Sequence, residues 1–562
     1  MNDTTGNAQT APHAGFRAET PVLIIGGGPV GLSTAVFLSK YGIASTVVER
    51  QVSRADQPKA HVLNSRSLEI FKQMGISTDE LRKRGASPSD ADVVRFVQSL
   101  AGVEYGSMVY ERQDEGILEF TPEPLVNVAQ PEIEGVLGDM VKNNKLVTVW
   151  ANHQWQSCTA DGQDNGSRIV SIILDRASGK ELTIRSKYLL ACDGAHSRAC
   201  AALGIPVETP ASPFPSEVRY MSVELKADWR KFKSGILWMI MLKNSMRTFI
   251  AYDRDSHWVF AFMIDQDAPE SQFTEEYCCE QVDSAVGEKV DYEILQIQVW
   301  TAYLRLADNY RSPKYPNAFL LGDAAHSFPP TGGLSLNTGI ADVQNLVWKI
   351  HATESGWWDH DILETYSQER RPVAEMNSKQ SDLNQYNILR VSTTIATAMD
   401  GNPASGQPTA ESQSAVREVL GEVSDFRDNF NCQVGYVYGS DRPIKGNSKY
   451  YEHRAVIGGR LPHVYITKNG KRISTLDLVD GQGFAVIASS KELGLPSSFQ
   501  VGKISAVVWQ MGRHFQLDQD KESCFNFGDG NQFIVVRPDQ HVAGFASSLE
   551  QVKSCLRGGG HV

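Results

Sequence analysis

Cysteine is scarce in this chain of 562 residues, and none of its eight cysteines (Cys158, Cys192, Cys200, Cys278, Cys279, Cys432, Cys524, Cys555) forms a C-x-x-C pair or a zinc-like spacing. A disulfide framework, a zinc module and dithiol redox catalysis are therefore excluded. The thiols read as reduced, mostly buried groups of a cytoplasmic protein. No apolar run reaches the ~18 residues that a membrane span requires. The opening stretch 1–18 has no basic region followed by an apolar one, so it reads as a disordered tail and not as a secretory signal. Positive charge is also short, with 54 Lys and Arg against 66 Asp and Glu and a net charge of −12. Such a surface repels phosphate backbones and anionic lipid, which argues against nucleic acid and membrane as partners. H-E-x-x-H, metal-like clusters and serine-centred nucleophile motifs are missing as well. What remains is an ordinary globular composition, 41% hydrophobic and 21% charged. At roughly 100 to 200 residues per domain, the chain should fold as two to four units.

The first region opens with the apolar run PVLIIGGG and closes near KYLLACDGAHSR. Between them, SRSLEIFKQMG and PEIEGVLGDMVKNN repeat apolar residues at helical spacing. Further on, RTFIAYDR and HWVFAFMI alternate apolar and polar residues, the pattern of half-buried strands, which predicts an inserted sheet. NAFLLGDAAH and a long helix through GIADVQNLVWKIHA then return to the first architecture. The stretch TIATAMDGNPASGQPTAESQSA is rich in small and polar residues and reads as a linker or surface segment. Short strands after Gly458, with one helix near SSLEQVKSCL, predict a separate terminal α/β domain.

VLIIGGGPVGLSTAVFLSKYGIASTVVER carries the strongest local signal, a strand, a glycine turn, a helix and a second strand. Gly26, Gly28 and Gly31 fit G-x-G-x-x-G, allowing in turn a tight turn, close approach of a pyrophosphate, and helix–strand packing. Pro29 suits a first helical turn. Glu49 ends the second strand 18 residues after Gly31, where an acid accepts hydrogen bonds from ribose hydroxyls. This is an adenine dinucleotide site, and the motif alone does not choose between FAD and NAD. Two later motifs narrow the choice. CDGAHSRACAALGI follows one buried strand and brings Asp193. FLLGDAAHSFPPTGGLSLNTGI follows another and brings Asp323, His326, Pro329, Gly333 and Asn337. There a strand ends at an aspartate suited to a ribityl hydroxyl, and a proline–glycine loop feeds a helix whose N–H groups can face an electron-rich ring.

With these three fingerprints in order, the chain resembles the flavin-dependent aromatic hydroxylases typified by p-hydroxybenzoate hydroxylase and phenol 2-monooxygenase. PKAHVLNSRSLEIFKQMGI, NVAQPEIEGVL and LETYSQERRPVA match further family segments, and the terminal GGRLPHVYI, STLDL and IVVRPDQHVAG look like the thioredoxin-like domain of the phenol hydroxylase subgroup. The implied fold class is α/β. A discontinuous FAD-binding Rossmann-like domain (19–210 and 305–394) carries an inserted mixed or antiparallel substrate sheet (211–304), then a linker and helical segment (395–450) and a thioredoxin-like domain (451–562). The resemblance implies cofactor contacts from Gly26, Gly28, Gly31, Glu49, Arg50, Gln130, Asp193, Asp323, Gly333, Leu336 and Asn337. Two departures stand out: Cys200 replaces an arginine usual in the D-G motif, and Ser335 replaces a glycine common in the cofactor loop.

The implied reaction uses bound FAD, NADPH or NADH, and dioxygen to hydroxylate a small phenolic or polyketide-like aromatic substrate through a flavin C4a-hydroperoxide, with a homodimer as a candidate assembly. Pro329 lies in the loop facing the reactive ring. Counting back from Arg66, His61 falls where the subgroup places a substrate-facing acid, so it is the candidate group for orienting or deprotonating the substrate hydroxyl. An ordinary hydrogen-bonding histidine is the competing reading. His326, beside Asp323, reads as a cofactor-shell or structural residue. Trp238, Met239, Phe249 and Phe262 are candidate pocket-lining groups, with core packing as the alternative. Baeyer–Villiger oxygenation, epoxidation, hydride transfer without oxygen insertion, and a flavin-bound interaction protein are the alternatives to hydroxylation.

Overall fold

The computed structural model describes residues 18–53, 60–162, 168–242, 245–400, 410–423, 428–440, 444, 446–489, 495–518, 521–528 and 530–558. The expected N-terminal tail lies almost wholly outside them. Strand β1 (Ala18–Ile25) leads through the glycine turn into helix α1 (Pro29–Lys40) and strand β2 (Ser45–Val48). The two strands pair in parallel, as a strand–helix–strand crossover requires. On its other side β1 pairs in parallel with Lys180–Ala191, whose end in turn pairs in parallel with Ala318–Leu320. Val22, Leu23, Ile24, Leu189 and Leu190 are fully buried rather than alternating, as strands covered on both faces require. Helix α1 packs on α3 (Gln130–Lys142) and on the long helix over Ser335–Glu354. Helix α2 (Ser65–Met74) is capped by the Asn64 side chain, which accepts from Ser67 N, and by Gly75 in the left-handed region.

The second unit is a seven-stranded sheet. Its strands Glu217–Lys226, Leu237–Leu242, Ser245–Asp253, His257–Met263 and Glu293–Tyr303 come from the expected insertion. The remaining two, Val93–Val97 and Glu104–Val109, do not, which corrects the 211–304 boundary. Val93–Val97 runs parallel to Leu237–Leu242, so the sheet is mixed. The sequence VVRFV has strand character, but its partner is far along the chain and only tertiary pairing shows it. One face packs Trp238, Phe249, Phe260 and Phe262 with helix α4 (Glu275–Val286). The other face brings Leu237, Met239 and Met241 towards the FAD unit.

The chain then returns through Ala318–Leu320 and a turn to α5 (Ser335–Glu354), which is buried over most of its length. Helix α6 (Thr365–Asp400) and helix α7 (Ala410–Glu422) follow. The segment expected as a linker is thus helical up to Asp400, and residues 401–409 lie outside the described ones. Ile395, Val416, Val419 and Leu420 are buried beneath the sheet, so these helices form part of its core. The terminal unit has a five-stranded sheet in the order Ser498–Val501, Ile504–Gln510, Phe484–Ala488, Phe533–Val536, Val542–Ala546, with helix α8 (Leu549–Gly558) packed on it. Only the Phe484–Ala488 and Ile504–Gln510 strands pair in parallel there.

Candidate active site

Three parallel strands of the first sheet end side by side, at Gly26, Cys192 and Leu321. The carboxyl ends of such strands are where doubly wound sheets bind ligands. Gly26 has φ +101°, and a Cβ there would lie 2.4 Å from the Cys192 carbonyl oxygen. At Gly31 a Cβ would lie 2.0 Å from Gly26 O, while at Gly28 it would meet nothing within 4 Å. The turn is therefore packed shut behind and open in front, which is what a pyrophosphate lying against the backbone requires. No side chain caps the N-terminus of α1, so its first N–H groups stay available to an anion.

Glu49 is held at the strand end, accepting from Gly27 N through Oε2 and from Gln51 N through Oε1, both at 2.7 Å. Arg50 is exposed beside it. The Asp193 carboxylate accepts from Ser197 Oγ at 2.6 Å and Ala199 N at 3.2 Å. Burial pushes its carboxyl up despite these donors. It meets the cradle through its backbone, beneath Gly26. Asp323 is exposed and accepts from Ser335 Oγ at 2.5 Å, so the departure at Ser335 bears directly on this carboxylate. Gln130 starts α3 and donates to Glu134 Oε1 at 2.7 Å.

Asn337 acts as a staple. Its Nδ2 donates to Val62 O at 3.0 Å and Gly333 O at 2.7 Å, and its Oδ1 accepts from Asn64 N at 2.9 Å. It thereby ties the Pro329–Gly333 loop to the segment that carries His61. Pro329 is half-buried and Leu336 packs at the edge of the main core. His61 Nδ1 lies 3.1 Å from Asn127 Oδ1, and the rings of Tyr252 and Tyr110 flank it at 5.9 and 6.4 Å. Burial pushes the Tyr252 phenol far up, with Glu224 and Tyr110 adding to it, so Tyr252 stays protonated. Behind it His257 stacks at 5.1 Å and meets Glu224 Oε1 at 2.8 Å. Asn127 Nδ2 is buried without a partner, a donor left over for a ligand.

Of the proposed lining groups only Met239 faces this region. Trp238, Phe249 and Phe262 lie on the opposite face of the sheet, because strand residues alternate sides. Asn127, Tyr252, His257 and Glu224 escaped the sequence reading, since no motif marks them. His326 is a structural residue, buried, stacked on Phe328 at 5.2 Å and 2.7 Å from Asp342 Oδ2. Two clefts, of about 380 and 290 Å³, lie on the outer sheet face and between α2 and the terminal unit, and neither is lined by a cradle residue.

The glycine turn, the acid at the second strand end and the proline–glycine loop fit FAD, with Gly26 to Gly31, Glu49 and Asp323 able to hold it. Fold and site together define a flavin-dependent monooxygenase in which a substrate sheet faces a dinucleotide unit. A family profile described as an FAD binding domain matches residues 19–381, and the chain belongs to that family. It is similar to 4-methyl-5-nitrocatechol 5-monooxygenase of Burkholderia sp, 31% identical over 93% of this chain and 94% of the relative. It is also similar to 2,4-dichlorophenol 6-monooxygenase of Cupriavidus pinatubonensis, 27% identical over 94% of each chain. Among solved structures, the flavin-dependent monooxygenase PieE, in complex with FAD and substrate, has the same fold, with a TM-score of 0.84, 24% identity, and 97% and 100% of the two chains covered.

Proposed function

We propose that the protein hydroxylates a phenolic or polyketide-like aromatic ring, consuming NADPH or NADH and dioxygen. The observation that carries this reading is the seating of His61. Its ring is flanked by Tyr110 and Tyr252 and tied to Asn127, and its neighbour Val62 touches the flavin loop, with 3.2 Å between Val62 Cβ and the place of a Cβ on Gly333. Bound FAD supplies reduction by a nicotinamide and activation of dioxygen. The chain's own residues do the rest. His61 accepts the proton of the substrate hydroxyl, and the resulting phenolate is the stronger nucleophile. Tyr252, held neutral, keeps a hydroxyl proton for a hydrogen bond. The apolar sheet face around Met239 and Ile250 excludes water from the ring.

The names of the relatives support this reading, since they act on nitrocatechol and chlorophenol rings. A thioredoxin-like fold for residues 451–562, a cytoplasmic location and a homodimer belong to the same proposal. The test is to purify the protein with its flavin and follow NAD(P)H and oxygen consumption over a panel of phenols under isotopically labelled dioxygen. Substrate-dependent consumption with one labelled oxygen in the product is expected. Flavin reduction without label in any product would overturn the hydroxylase reading in favour of hydride transfer alone.

A further inference from the structure

One turn of the terminal unit is buried inside the flavin unit. Arg537, Asp539, Gln540 and His541 are all essentially without solvent contact, and Gln540 adopts φ 67°, a conformation costly for a residue with a side chain. That conformation projects the Gln540 amide onto Arg66 of α2, whose Nη1 donates to Gln540 Oε1 at 2.7 Å and whose Nη2 donates to Asp539 O at 2.8 Å. Arg66 lies two residues from Asn64, which the Asn337 staple ties to the flavin loop.

A second path leaves the same turn. His541 stacks on Tyr438 at 4.3 Å, and Arg370 Nη1 donates to the Tyr438 hydroxyl at 3.3 Å. Arg370 Nε donates to Asp342 Oδ1 at 2.8 Å, and Asp342 Oδ2 accepts from His326 at 2.7 Å and from Gly322 N at 3.2 Å. The first path ends at Gly333 of the Pro329–Gly333 loop, and the second ends at Gly322, next to Asp323. Arg537 anchors the turn, donating to both Glu369 oxygens at 2.7 and 2.8 Å and to Asp539 Oδ2 at 2.6 Å. A buried ionic joint contributes little more to stability than an apolar joint of equal size, because each charge loses its water. What it adds is placement, since each bond fixes a particular atom.

We propose that the Arg537–His541 turn is a positioning element for the FAD cradle, so that the terminal unit serves cofactor binding through Arg66 and Arg370. The proposal rests on the flavin assignment of the site. Gln540→Gly keeps the backbone conformation, which glycine adopts freely, and deletes the contact to Arg66. Tyr438→Phe deletes the hydroxyl and keeps the stack. Each full-length variant is titrated with FAD by fluorescence quenching, the visible circular dichroism of bound flavin is recorded, and the unfolding midpoint of the apoprotein is measured. The expected result is FAD affinity weaker by about five- to twenty-fold and an altered flavin band, with apoprotein midpoints close to that of the wild type. Val552→Ala, which opens the terminal core away from the turn, should lower the apoprotein midpoint and leave FAD affinity unchanged. Unchanged affinity and band in both turn variants would overturn the proposal, as would a Val552→Ala chain that loses affinity equally. A wild-type chain that takes up no FAD would overturn the flavin assignment and this inference with it.

Discussion

At Gly31 a single added carbon would lie 2.0 Å from Gly26 O, closer than any real contact, and no flexible side chain is there to yield. Gly31→Ala is expected to leave the purified chain nearly free of flavin, read as visible flavin absorbance per mole of protein. The same constraint makes this position legible from sequence, because tight turn, close approach and packing act within a few residues. His61 is a different case. Its type and place could be read, but its neighbours Tyr252, Asn127 and Tyr110 reach it only through the fold. His61→Ala should lower kcat for a phenol by about a hundred-fold, the usual size of a lost general base, and should change the pH profile. Hydroxylation unchanged across pH would remove His61 from the mechanism.

Between elements, the joint of α5 with α6 turns on Asp342, which is fully buried and bonded to Arg370, His326 and Gly322 N. Burial would raise its carboxyl, but His326 and Arg370 outweigh this and hold it below the usual range. Asp342→Ala leaves a buried cation and a backbone donor unpaired, which costs ~3–5 kcal/mol. A thermal midpoint several degrees lower, with released flavin, is the expected outcome by calorimetry and absorbance. In the sheet, Met239→Ala should impair substrate KM, whereas Phe249→Ala, on the far face, should act through stability alone, by ~3–5 kcal/mol. Steady-state kinetics beside thermal melts separates the two. Strand alternation was legible in the sequence. Which of the two alternating sets faces the flavin was not, since that depends on what each face packs against.

Across the whole molecule, acid should loosen the terminal unit first. Burial lowers His463 to about 3 and His541 to about 4, against ~6.5 for an unfolded histidine. Between those values the unfolded chain binds more protons than the folded one, so stability falls as pH drops below ~6.5, by ~1.4 kcal/mol per pH unit for each group. Glu369 is lowered to about 2, its burial outweighed by Arg537 and Lys349, and its contribution is lost as pH falls from ~4.3 towards that value. The thermal midpoint should therefore decline between pH 7 and pH 5, and His541→Phe should flatten that decline. An equal slope in the variant would show that His541 does not carry it.

The amino-acid sequence by itself determined the dinucleotide turn, the order of the three flavin motifs, and the presence of an inserted sheet and a terminal unit. Each rests on residues close together in the chain, where backbone geometry and hydrophobic period act directly. Only the tertiary structure decided that Val93–Val97 and Glu104–Val109 join the substrate sheet and that Tyr252 flanks His61. It alone placed Arg537 and Asp539 against α2, α5 and α6. Those arrangements depend on pairing and charge neutralisation between segments more than a hundred residues apart, and such partners leave no periodic trace in the chain.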